Sequence, residues 1–176
     1  CLRRVIGKTV TRQFNNILQQ TAGPLQLAAS HHAGNEAAVH ATNDLFNDDS
    51  TDGILLVDAE NAFHKINRRV ALHNIQIICP VVSTFAINTY RHANILFTTK
   101  CELAGEEGTT QGDPFAMIFC GLSMMIIIYE HDTGAKVAWF ADDSSGGGKL
   151  AQIRKWWDFL SQECPKYVYY PTAGST

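Results

Sequence analysis

Hydrophobic positions along the chain fall into two kinds of run: short unbroken ones that end on an acid, and longer ones spaced three and four apart. Ile54, Leu55, Leu56 and Val57 stand in a row and stop at Asp58, which predicts a buried strand with a carboxylate at its end. Val137, Ala138, Trp139 and Phe140 form a second run that stops, after Ala141, at the adjacent Asp142 and Asp143. Serines and the glycines 146–148 follow, so this stretch predicts a hairpin with acids at its tip. If the two strands are neighbours in one sheet, Asp58 and Asp142 converge on one cation from different parts of the chain.

Helical spacing fills most of the remainder. Arg3, Arg4, Lys8 and Arg12 precede Phe14, Ile17 and Leu18, predicting a basic helix over 1–20 whose charges serve either phosphate contact or a solvated face. Residues 21–34 read as a loop anchored by Leu25 and Leu27, a helix resumes near Glu36, and 47–53 is a polar turn. Beyond Asp58, the pattern predicts a short turn or helix over 62–67, helices over 70–78 and 82–90, and a strand over 95–99. The loop 108–114, Gly-Thr-Thr-Gln-Gly-Asp-Pro, starts a helix with Asp113 as N-cap and Pro114 at its first position. That helix, over 115–129, is apolar nearly all round and belongs behind the sheet. Ile153, Trp156, Trp157 and Leu160 predict a helix over 150–160 with its tryptophans in the packing, and 166–170 alternates toward a final strand. The expected fold class is α+β, an antiparallel sheet backed by helices on one face.

Composition narrows the partners. At 176 residues and 45% hydrophobic, the chain can bury one sizeable core. Its longest apolar run, near 124–129, is far below the ~20 residues of a membrane span, so a soluble protein without a membrane partner is expected. It begins at Cys1 and ends at Thr176 without a cap or tail, which reads as a fragment of something longer. Five scattered cysteines without a C-x-x-C pair predict reduced thiols and an intracellular, reducing compartment, cytoplasm or nucleus. Among seven histidines only His31 and His32 are close in sequence, so zinc-ligand spacing is absent. A formal net charge of -3 neither attracts nor excludes a polynucleotide.

The acids carry the candidate chemistry. Adjacent carboxylates repel unless a cation or proton intervenes, and hard oxygen ligands suit magnesium. An Asp-Asp pair in a turn is usually just solvated; the second strand-end acid, Asp58, is what suggests two-metal geometry. Gln111 offers both a donor and an acceptor, and its neighbouring glycines let a base pair or sugar approach the backbone. Taken alone, the same loop is an ordinary capped helix start.

Three blocks in order, Asp58-x-x-x-Ala62-Phe63, Gln111-Gly112-Asp113-Pro114 and Phe140-Ala141-Asp142-Asp143, resemble motifs A, B and C of reverse transcriptases. The likeness is greatest to the non-LTR retrotransposon and group II intron side of that family. Arg4-Val5-Ile6-Gly7-Lys8 is similar to a fingers segment, and Lys166-Tyr167-x-Tyr169-Tyr170 to the approach to motif D. The resemblance implies a right-hand polymerase fragment without thumb, RNase H or endonuclease, with partial fingers over 1–50 and a ferredoxin-like palm over 51–176. It implies RNA-templated DNA synthesis from a DNA primer and deoxynucleoside triphosphates, with two Mg2+ ions, or Mn2+, on Asp58 and Asp142. By the same likeness the carbonyl of Ala59 assists, Asp143 is an accessory acid, Phe63 is a steric gate against a 2′-hydroxyl, and Gln111 and Gly112 position the incoming nucleotide.

Two departures stand out. Gly174 and Ser175 occupy the place of the motif D lysine, so the expected proton donor to pyrophosphate is missing, and His64 replaces a common Asn or Ser. A catalytically impaired, nucleic-acid-binding derivative is therefore one alternative. An RNA-templated RNA polymerase is another, disfavoured by Phe63, and a palm-like nucleotide cyclase a third, which has no need of the Gln111 block.

Overall fold

Small residues decide how the two acidic runs meet. In a computed structural model describing residues 2–97, 99, 101–110, 112–130, 132–167 and 169–173, the first run is β1 (Gly53–Ala59) and the second a hairpin of β4 (Lys136–Phe140) and β5 (Asp143–Gly148). With a terminal β6 (Pro171–Ala173) they form a sheet of order β4-β5-β1-β6, every pair antiparallel. The serine and glycine tract, the second limb of the predicted hairpin, is thus an inner strand. The reason lies on α9 (Leu150–Glu163): a Cβ on Gly146 would come within 2.4 Å of the Trp156 ring. Only hydrogen at that position lets the indole pack this closely on β5.

Side chains alternate across the pleat. Gly146 faces Trp156, whereas a Cβ on Gly147 would lie 3.3 Å from Leu45 of α3 (Gly34–Phe46), and Thr42 Oγ1 on the same helix lies 2.7 Å from Ser145 Oγ. Helices therefore cover parts of both faces, a correction to the one-sided sheet expected. Leu56, read as part of a buried strand, is 48% exposed.

The core lies on the Trp156 side. Trp139 stacks edge-on to Trp156 at 6.5 Å and packs against Tyr169 at 5.8 Å between ring centroids. Behind them sit α1 (Leu2–Gln13), α2 (Asn15–Ala22), α4 (Ala62–Lys65), α5 (Arg68–Ile78), α6 (Pro80–Tyr90) and α7 (Ala116–Ser123). Leu18, Ile75, Val82, Phe115, Phe119 and Leu122 among them are fully buried. A separate hairpin joins β2 (Asn94–Phe97) to β3 (Glu102–Gly105), the second of which the sequence pattern did not reveal.

Three further expectations change. The long apolar helix is broken at Met124 into α7 and α8 (Met125–Glu130). Asn74 Nδ2 donates to the Ser123 carbonyl and Met124 N to Gly121 O, which takes those groups out of the α-helical ladder. Asp113 is not the N-cap of α7; that place belongs to Phe115, and Asp113 caps the turn just before it by accepting from Phe115 N. The last strand comes later than 166–170, because Cys164–Tyr167 closes a 3-10 turn and β6 starts at Pro171. A proline is tolerated there because β6 is an edge strand. Among the described residues no helix is long and apolar enough to cross a membrane, and Cys79, Cys120 and Cys164 are buried thiols.

Candidate functional site

The pairing of β1 with β5 brings the acids together. Val57 stands opposite Ser144, so the next step of the same antiparallel register sets Asp58 across from Asp143 on one face of the sheet. That face is covered by α3 only at its far end, near Ser145 and Gly147. Asp142 follows Ala141 in the two-residue turn between Phe140 and Asp143. The acid directly beside Asp58 is therefore Asp143, with Asp142 at the tip.

Electrostatics record the crowding. Burial, above all, pushes the Asp142 carboxyl up to about 6, with the charges of Asp143 and Asp58 adding to it. Asp143 is raised by burial, by the charge of Asp58 and by a carboxyl–carboxyl hydrogen bond with it. Beneath the hairpin the Cys120 thiol is raised too, by its burial and then by Asp142 and Asp143. Among the described residues no ion pair reaches these three acids.

Such a set of hard, uncompensated oxygens fits magnesium. No three His, Cys, Asp or Glu side chains among the described residues form a preformed cage. Magnesium does not require one, since it commonly keeps several waters and takes one or two carboxylates together with substrate phosphates. Ala59, whose carbonyl was the further expected ligand, ends β1 opposite Pro171 and is buried.

The other two blocks are fastened to each other behind the acids. Phe63 lies half-buried on α4 against the core, and its carbonyl accepts from both the backbone N and the Oγ1 of Thr109. Gly108 at φ +66° passes so close to His64 that a Cβ would meet its backbone at 2.3 Å. Gly112 has φ +80° with open space where a Cβ would stand, so glycine is needed there for its backbone conformation. Gln111 and Gly174 lie outside the described residues. Asp113 is held by Arg3 at 2.7 Å and by the Tyr90 hydroxyl at 2.9 Å, with its side chain only 3% exposed.

This arrangement has relatives among solved structures. The fold is similar to that of telomerase. Apo telomerase from Candida tropicalis superposes with a TM-score of 0.64 at 12% identity over 96% of this chain and 35% of that one. The same enzyme in complex with a TWJ fragment of telomeric RNA gives 0.57 at 14% identity over 94% and 32%. Telomerase from Candida albicans in the corresponding complex gives 0.51 at 10% identity over 99% and 34%. The chain thus spans about a third of the length of these telomerases. At such identities the likeness establishes a fold of the reverse-transcriptase kind. No family model matches the sequence, and no curated protein matches it.

Two residues on this telomerase-like scaffold went unnoticed in the sequence. Gln26, in the loop between α2 and α3, is fully buried and bonds both backbone groups of Ala141: its Oε1 accepts from the amide at 2.8 Å and its Nε2 donates to the carbonyl at 3.0 Å. Tyr169 Oη donates to the Asp142 carbonyl at 2.8 Å. The one signal for Gln26 was a polar side chain flanked by two leucines.

Proposed function

We propose that the chain carries the polymerising centre of a reverse transcriptase, extending a DNA primer on an RNA template with deoxynucleoside triphosphates. The observation that carries this reading is the placement of Asp58 and Asp143 side by side on adjacent strands, with Asp142 at the turn, at the open end of the sheet in a telomerase-like fold. Asp58, Asp142 and Asp143, with the carbonyl of Ala59, are the groups that would hold two Mg2+ ions, or Mn2+. Bound there, the ions would lower the pKa of the primer 3′-hydroxyl and neutralise charge on the triphosphate.

The chain's own residues do the positioning. Phe63, tied through its carbonyl to Thr109, presents a ring to the sugar and excludes a 2′-hydroxyl. Gly112 keeps the backbone bare beside the incoming nucleotide, and Gln111 contributes amide contacts. Arg4, Lys8 and Arg12 are exposed on α1, where they meet nucleic-acid phosphates. RNA is the template expected from the motif order, and two of the telomerase neighbours are complexes with a fragment of telomeric RNA. Within this reading, 1–50 is partial fingers and 51–176 palm, from a non-LTR retrotransposon or group II intron-like element working in a reducing intracellular compartment.

The test is RNA-templated primer extension by a polymerase that carries this segment. Asp142→Asn is expected to lower the rate at least ~100-fold with folding intact, because several kcal/mol of charge stabilisation depend on the ligand. Extension within tenfold of the parent overturns the reading. The impaired-enzyme alternative rests on Gly174, and it has its own arm: a parent that binds primer–template yet adds no nucleotide, and gains activity in Gly174→Lys, supports it.

A further inference from the structure

A two-residue turn that carries a catalytic acid needs an outside support, because a hairpin loop is ordinarily its most mobile part. Ala141 makes the need greater. It has φ +57°, a conformation that a residue with a Cβ adopts only when its surroundings enforce it. Among the described residues, none of the turn's support comes from an ion pair.

We propose that Gln26 is a positioning residue for Asp142: a neutral clamp that fixes the acidic turn without neutralising it. Its amide bonds both the N–H and the C=O of Ala141, an arrangement that selects one orientation of that peptide pair and hence one direction for the next side chain. The clamp is itself held from three sides. The backbone either side of Gln26 pairs with Trp139, Leu27 N donating to Trp139 O and Trp139 N to Leu25 O, each at 2.8 Å. Gln26 Oε1 also accepts from Ala28 N at 3.2 Å. On α7, Gly121 leaves room for the side chain, since a Cβ there would lie 3.2 Å from Gln26 Cδ. Tyr169, buried like Gln26, holds the Asp142 carbonyl from the far side of the turn.

The choice of an amide has a physical reason. Lysine or arginine could donate to the Ala141 carbonyl but would place a positive charge beside Asp142 and Asp143, competing with any cation these acids recruit. A carboxylate could accept from the Ala141 amide but would repel its carbonyl and add to the charge already crowded there. Glutamine's amide supplies a neutral donor and a neutral acceptor side by side, matched to the N–H and C=O of one residue. The loop between α2 and α3 thereby sets the geometry of the hairpin through a side chain outside all three motif blocks.

The inference deepens the polymerase reading and rests on it for what the fixed geometry is used for. Its test uses the metal-free 176-residue chain with two readouts, amide hydrogen exchange at Ala141 and Mn2+ affinity by paramagnetic relaxation. Gln26→Met keeps the volume and removes both hydrogen bonds. Gly121→Ala leaves Gln26 in place but crowds it, and serves if the methionine variant fails to fold. Val82→Ala, buried on α6, is a destabilised control. The expected result is loss of Ala141 protection and an Mn2+ affinity ~10–100-fold weaker in the clamp variants, as for other residues that orient metal ligands, with Val82→Ala unaffected in both. Affinity within twofold of wild type together with a protected Ala141 amide overturns the proposal, as does an equal loss in Val82→Ala. If wild type binds no Mn2+ in an Asp58-dependent way, the metal reading fails, and the exchange at Ala141 still decides whether Gln26 fixes the turn.

Discussion

Two regions of this molecule carry functionally placed aspartates, and they treat them in opposite ways. In the loop 108–114, the side chain of Asp113 is 3% exposed and fully answered within the chain: Arg3 Nε and Nη2 and the Tyr90 hydroxyl all donate to its Oδ2, and Phe115 N to its Oδ1. Arg3 also reaches Asn94, and its guanidinium stands 5.2 Å from the Tyr90 ring centroid. At the hairpin, Asp58, Asp142 and Asp143 have one another and, among the described residues, no ion pair. The neutral groups Gln26 and Tyr169 hold the backbone there and leave the charges alone. An acid compensated inside the chain fastens α1 to the loop; acids left uncompensated are available to a cation from outside.

That contrast is easiest to break at Arg3. Replacing it by Met leaves a buried carboxylate without its cation, whereas replacing Asp113 by Leu leaves a guanidinium that is 39% exposed and can turn to water. Arg3→Met is therefore expected to cost about 3 kcal/mol or more and Asp113→Leu less, both read from urea unfolding. Asp142→Asn in the metal-free chain is expected to be neutral or stabilising, since it removes repulsion rather than a partner. A loss in Asp142→Asn comparable to that of Arg3→Met would erase the distinction between the two loops.

A smaller effect sharpens the hairpin side. Gly146→Ala places a methyl within 2.4 Å of Trp156, and overpacking of this kind costs roughly 1–3 kcal/mol. Because β5 lies between β4 and β1, the shift should loosen amide protection along the hairpin and leave α6 and the loop 108–114 unchanged. Adding Trp156→Leu, which vacates the space, should recover protection in β5; failure to do so would mean that Gly146 is needed for its backbone and not for the indole.

What could be read from the sequence was whatever depends on neighbours in the chain. A row of apolar residues that stops at an acid is local information, and so both acidic strands, the helix over α9 and the antiparallel α+β class were legible. The partner of Asp58 was not, because it is set by register. A two-residue turn with Ala141 at positive φ places Asp143 opposite Asp58, and one residue more in that turn would change the pairing. That the glycine tract lies inside the sheet was not legible, because its reason for doing so, the Trp156 ring, lies ten residues further on. Gln26 was invisible for the same cause on a larger scale, since its two partners are 115 residues away in sequence. Asp113 was legible as a capping residue, but its ion pair with Arg3 spans 110 residues and nothing near either residue announces it.

The smallest effect is a pH slope, and it follows from the uncompensated side of the comparison. Asp142 titrates near 6 in the folded protein, above the ordinary carboxylate value of 3.8. Between those values the folded state holds a proton that the unfolded state has lost, so stability falls as pH rises through the window. Asp48 and Asp52, exposed and lowered by hydrogen bonds from Lys136 and Lys149 respectively, act in the opposite sense and lose their contribution only in stronger acid. The metal-free chain should accordingly be more stable near pH 5 than near pH 7, by about 1 kcal/mol or less once solvent screening of the half-buried carboxyl is allowed for. Asp142→Asn should flatten that part of the profile. Magnesium binds the ionised form, so it should raise stability at pH 7 more than at pH 5 and reduce or reverse the slope. Urea midpoints measured across this range with and without magnesium decide the matter. A wild-type slope that survives Asp142→Asn unchanged would show that the turn is not where the protein stores its unpaired charge.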